Sequence, residues 1–151
     1  MKSDFGILKW PLIVAAVVVV LRVILERMNV SESINNLLSI AVMHTLIVPI
    51  YIAIALGLRK SPRPFLTLFK LIALFAVLTR IMILPTYWAG RIFQWTNSRF
   101  FGTWGEGVDP FRGFIGVPFG TAGMWIAASI VIGGVLGTIA LAITRKAVHA
   151  S

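Results

Sequence analysis

Two groups of side chains have the types and spacing to do chemistry in a chain that is otherwise mostly apolar. His44 lies near the middle of a long hydrophobic run, and Tyr51 follows seven residues later. On an α-helix that spacing puts both on one face. An ionisable ring is expensive to bury in lipid, so it reads either as a functional group or as a hydrogen-bonded link between helices. The functional readings are haem ligation and quinone contact. Haem held by two histidines needs a second imidazole, and the only other one is His149, beyond the last apolar run. Ligation shared across subunits, or by Met43 or Met82, stays open. The structural reading is a neutral ring whose one donor and one acceptor both find partners on a neighbouring helix.

The second group is Arg22, Glu26 and Arg80. Arg22 and Glu26 are four residues apart and share a helix face. Arg80 stands near the end of another apolar run, from which a guanidinium can reach the membrane surface. One reading is a structural ion pair with a snorkelling arginine. The other is a contact for an anion or a lipid headgroup.

Other chemistries are missing from the sequence. It has no cysteine, which removes disulfides, thiolate metal sites and thiol nucleophiles. No Asp or Glu falls in the middle of an apolar run, where proton-coupled carriers usually place one. No HExxH, P-loop or acidic pair is present. We therefore expect no catalytic residue and no metal site, and the sequence specifies no cofactor.

The elements that must position these residues follow from composition. Of 151 residues, 58% are hydrophobic and 13% are charged, about half the charge of an ordinary soluble domain. The apolar residues fall in runs near the length a helix needs to cross the hydrocarbon core. The spans are expected at about Trp10–Leu25, Ile34–Leu58, Phe65–Leu84 and Thr121–Thr144, in a single domain over 1–151. Pro11 suits a first turn, Ser31 or Ser33 an N-cap of the second span and Thr121 that of the fourth. Pro85 is expected to end the third span. Lys2 and Lys9 precede the first run, but Arg22 interrupts it and no small-residue cleavage site follows, so an uncleaved anchor is expected. Asn29-Val30-Ser31 matches a glycosylation sequon that is too common to weigh.

Between the third and fourth spans, residues 86–120 hold ten of the seventeen aromatics. Trp88, Ile92 and Trp95 recur at helical spacing, which predicts an amphipathic interfacial helix. The glycine-rich part, Gly102 to Gly120, is expected to be irregular. The segment reads as a membrane-surface cap or as a lid. Ala41, Thr45, Pro49, Ala53 and Gly57 form a row of small residues, as do Ser129, Gly133 and Gly137, and such rows let helix backbones approach closely. Pro49 is expected to kink the second span.

The net charge of +9 reads as topology signals and lipid contacts rather than nucleic-acid binding. With the N-terminus inside, Lys2, Lys9, Arg59, Lys60, Arg63, Arg145 and Lys146 face the cytoplasm. Arg27, Arg91, Arg99 and Arg112 face out. The expectation is an all-α integral membrane protein of the cell inner membrane, with four transmembrane helices and both termini cytoplasmic. Four such spans recur among unrelated proteins and carry no function by themselves. Small size and absent catalytic groups favour a non-catalytic accessory or structural subunit of a larger membrane complex. A small homo-oligomeric channel or carrier is the first alternative, and a haem- or quinone-binding redox subunit using His44 the second. Expected partners are membrane lipids and other membrane subunits or further copies of the chain.

Overall fold

The computed structural model describes residues 5–28, 30, 31, 33, 40–59, 62–96 and 98–150. The expected start of the second span at 34–39, the sequon position Asn29, Lys2, Lys60 and Ser61 lie outside them. Among the described residues every regular element is helical. Four helices are long and apolar enough to cross a membrane: α1 (Gly6–Arg27), α2 (Ile40–Leu58), α3 (Pro64–Ile92) and α5 (Arg112–Val148). The short α4 (Ser98–Phe101) lies in the connection between α3 and α5.

Two boundaries differ from the sequence expectation for the same reason. The third span does not stop at Leu84, because α3 runs through Pro85 to Ile92. The fourth does not start at Thr121, which sits inside α5, and Pro118 lies within that helix too. A proline inside a helix removes one N–H bond, but a helix packed on neighbours tolerates that loss. Residues 86–92 are thus the last two turns of α3 rather than a separate amphipathic helix, and Arg112–Gly120 is helical rather than irregular. At 1.5 Å per residue, α3 and α5 are about 43 and 55 Å long, against a hydrocarbon core of about 30 Å.

The start of α5 was legible in residues that sequence reading passed over. Asp109 accepts the Arg112 N–H through Oδ1 at 2.8 Å, and its carbonyl accepts the Gly113 N–H at 3.0 Å. Asp followed by proline is a helix start, because the carboxylate satisfies a free N–H and proline lacks one.

Three stretches inside these helices have π geometry: Met43–Ile47 in α2, and Arg112–Gly116 and Ser129–Gly133 in α5. Pro49 and Pro118 follow the first two by two residues. Because proline cannot donate, the carbonyl four residues before it loses its partner, and the local ladder widens to i→i+5. The freed Phe114 carbonyl, four residues before Pro118, accepts the Trp88 indole N–H at 2.9 Å. The third π stretch has no proline and packs against the first.

The small-residue rows of α2 and α5 meet each other inside the chain, and this is the most extensive helix contact. A Cβ at Gly133 would come within 2.7 Å of Pro49 Cγ and 3.0 Å of the His44 carbonyl. One at Gly57 would meet Thr144 Cγ2 at 2.6 Å, and one at Gly137 the Leu68 side chain at 3.2 Å. Ile52, Leu56, Leu68, Ile72, Phe75 and Leu141 fill the core beside this seam. Outside it, large apolar side chains face outward on each long helix, among them Val17 and Val20, Ile54, Ile81, and Val131 and Ile139.

At the end where α1 finishes, residues 93–111 close over the helices with an aromatic cluster. Phe100 is fully buried between Tyr87 and Trp95, with ring centroids 5.6 and 5.2 Å away. It sits where a Cβ on Gly90 would stand, 2.7 Å from its ring. The Trp104 indole donates to the Trp95 carbonyl at 2.8 Å, and Arg91 donates to the Thr103 carbonyl.

Candidate functional site

Beneath that aromatic cover lies a cavity of about 390 Å³ between α1, α2, α3, α4 and α5. Its polar lining is dominated by three guanidinium groups, those of Arg22, Arg80 and Arg99. Each arrives from a different element. Arg22 is on the last turns of α1, with Glu26 one turn further on. Arg80 is on α3, and Arg99 is returned to the bundle by α4. Thr86 and Tyr87 follow Arg80 on α3, and Trp125 reaches in from α5.

One carboxylate holds two of the arginines. Glu26 Oε1 lies 3.2 Å from Arg22 Nε and 3.1 Å from Arg99 Nη1. Arg99 also reaches Thr86 Oγ1 at 3.5 Å and lies over the Phe100 ring, 4.2 Å from its centroid. Burial holds the Arg99 guanidinium below its ordinary pKa. Glu26 opposes that shift, while Arg22 adds to it. This is the expected competition between desolvation, an opposite charge and a like charge.

Arg80 is placed differently. It is 7% exposed and forms no ion pair or hydrogen bond among the described residues, and its Nε is buried without a partner. Its guanidinium lies over the Trp125 ring at 5.5 Å, and the charges of Arg22 and Arg99 act on it. The expected snorkelling past a helix end does not occur, because α3 continues for twelve residues beyond Arg80. The walls around these groups are apolar, with Val19, Ile40 and Ile83 all buried. The arrangement can hold an anion. The described residues supply no nucleophile activated by a neighbouring base, and no cluster of three His, Asp or Glu.

His44 belongs to a separate place. It is 1% exposed, and its Nε2 lies 2.5 Å from Thr79 Oγ1 on α3. The Thr79 hydroxyl also lies 2.8 Å from the Phe75 carbonyl and 3.0 Å from that of Ala76. A hydroxyl has one proton, which these carbonyls take, so His44 Nε2–H is the donor to Thr79. Nδ1 is then the acceptor of the ring, and it has no partner among the described residues. Phe75 covers the ring edge-on at 5.4 Å.

The structure does not bring Tyr51 to His44. Tyr51 is 42% exposed on the outer face of α2. The π turn at Met43–Ile47 is the cause: it holds one extra residue and turns everything after it by about 100° relative to an α-helix. None of the described cavities is lined by His44 or Tyr51, so the tentative pairing of the two around a haem or quinone has no geometric support here.

Arg22, Glu26 and Arg80 do converge. Sequence reading missed Arg99, Thr86, Tyr87 and Trp125 at the same site. Tyr87 was within reach, since it follows Arg80 by seven residues on one helix face, but only for a helix allowed to pass Pro85. Neither a family model, nor a curated protein, nor a solved structure matches this chain.

Proposed function

We propose that this chain is an integral membrane protein that crosses the bilayer four times and works as a non-catalytic subunit or accessory of a membrane assembly, with the arginine-lined cavity as its binding site. The observation that carries the reading is the distribution of apolar surface. Large apolar side chains point outward along all four long helices, while the buried charge gathers in one cavity near one end. A soluble protein rarely exposes a continuous apolar surface of this extent.

The inner membrane with both termini in the cytoplasm is the placement the charges favour. Lys9, Arg63 and Lys146 are exposed at the end away from the cap. At the cap end, Arg27 stacks on Trp95 at 5.4 Å, Arg91 on Phe114 at 4.8 Å, and Arg99 pairs with Glu26. Exposed lysines and arginines next to short loops are the ones that set orientation. The channel alternative has less support, because the glycine rows of α2 and α5 are used against each other within the chain.

Fractionation of cells expressing the chain tests the membrane reading: it should stay in the membrane pellet after alkaline carbonate extraction. Purification in mild detergent, with mass spectrometry of the intact complex, tests the subunit reading. Larger chains should be retained in fixed ratio, and a chain that purifies alone at every detergent strength would overturn that part.

A further inference from the structure

We propose that the cavity under the aromatic cap binds a phosphate monoester, carried either on a lipid headgroup or on a small soluble molecule. The proposal rests on the membrane reading above.

Charge is the first argument. Arg22, Arg80 and Arg99 line the cavity, and Glu26 is the carboxylate seated between two of them. Its single charge leaves two positive charges of the three uncompensated by the lining. Buried like charges without a counter-ion are costly, so a bound dianion relieves the site more than a monoanion does. Among common biological anions the phosphate monoester carries close to two charges at neutral pH.

Donor geometry is the second. Arg80 is more than nine-tenths buried, lines the cavity and has an Nε–H with no acceptor among the described residues. Guanidinium forks match the oxygens of phosphate and bind them through paired hydrogen bonds. Tyr87, at 6% exposure on the same wall, offers a hydroxyl as a further donor.

Size and depth are the third. A cavity of about 390 Å³ falls in the range of small-molecule pockets, about 300–1,000 Å³, and so has room for more than a bare ion. Its apolar wall of Val19, Ile40 and Ile83 suits the carbon part of an ester. Arg22 stands five residues before the end of α1, about 8 Å along the helix axis. That depth suits a headgroup held just inside the membrane surface.

The test uses the full chain in nanodiscs of phosphatidylcholine, with or without a tenth of phosphatidic acid, followed by detergent release and native mass spectrometry. Glycerol 3-phosphate is added in a parallel arm. One phosphatidic acid per chain should be retained over phosphatidylcholine. R80Q should lower that retention by about tenfold or more, the scale of one lost charged hydrogen bond, while R63Q at the opposite end should not. R80K, which keeps the charge, should retain an intermediate share and covers the case in which R80Q folds poorly. Binding of glycerol 3-phosphate without phosphatidic acid would keep the phosphate chemistry and assign a soluble source. Equal retention of both lipids, or equal loss in R80Q and R63Q, would overturn the proposal. So would binding of neither phosphate monoester by a well-folded chain. All these outcomes leave the protein embedded, so they are separate from failure of the membrane reading, which carbonate extraction reports.

Discussion

Glu26 is the residue on which the cap-side electrostatics turn. It is 5% exposed and bridges Arg22 and Arg99, so it ties α1 to the short helix that returns from α3. Glu26→Gln keeps an acceptor but removes the charge that both guanidiniums face. Removing one partner of a fully enclosed ion pair costs about 3–5 kcal/mol, and the partial exposure of both arginines reduces that to about 2 kcal/mol. The expected thermal midpoint in detergent falls by about 4–8 °C. Because the same change raises the positive charge of the cavity, anion retention should rise while stability falls. A variant in which both fall together would show that Glu26 shapes the cavity rather than setting its charge. At the same scale, Thr79→Val removes the acceptor of the His44 N–H and leaves a buried donor, at a cost of about 1–3 kcal/mol. His44→Leu combined with Thr79→Val removes both polar partners and should recover part of the loss in a thermal melt. A double variant no more stable than Thr79→Val would count against a bonded link between α2 and α3.

At the scale of elements, the α2–α5 seam and the helix ends decide what was legible in the sequence. The rows containing Gly133 and Gly137 announced close packing, though not that the partner row lay within the same chain. Gly133→Ala should cost about 1–3 kcal/mol, because its new Cβ would meet Pro49 and the His44 carbonyl, and overpacking a tight contact forces backbones apart. Gly123 is on the same helix with nothing within 4 Å of a built Cβ. Gly123→Ala should therefore leave stability unchanged or raise it by about 1 kcal/mol. Thermal melts of the two variants side by side check the contrast, and equal effects would contradict the seam. Four apolar runs were readable because a span needs length and composition only. The ends were not, because Pro85 and Pro118 carry a strong stop signal that packing overrides, while the start signal of Asp109 and Pro110 is short and lay in a glycine-rich stretch. Tyr51 was assigned to the face of His44 because a π turn leaves no mark in residue spacing. Arg99 was missed because its partner Glu26 is 73 positions earlier, and only the folded cap brings the two together.

For the molecule as a whole, the two ends differ in how their basic residues are used, and that difference fixes the expected orientation. The absence of native cysteine makes the test direct. Arg63→Cys and Glu106→Cys place single thiols on exposed positions at opposite ends. In intact cells an impermeant maleimide should label Glu106→Cys and reach Arg63→Cys only after the membrane is permeabilised. The reverse pattern would invert the orientation and with it the assignment of the cavity to the outer side. The lengths of α3 and α5 belong to this scale too. Both exceed the hydrocarbon thickness, and the excess carries Trp88, Trp95 and Trp104 to the level where indoles with a polar edge are best accommodated.

The three π stretches also make some changes in chain length unlike others. Each holds one residue more than an uninterrupted α-helix would, so each reads as an insertion that the fold has absorbed. Deleting one residue within Met43–Ile47 would close the turn and swing Tyr51 back into line with His44, restoring the alignment implied by their spacing. Deleting one within Ser129–Gly133 would rotate the rest of α5 by about 100°, taking Leu141 out of the core and Thr144 away from Gly57. A one-codon loss at either place leaves the hydropathy of the span almost untouched and acts instead as a twist, dialling one half of a helix against the other.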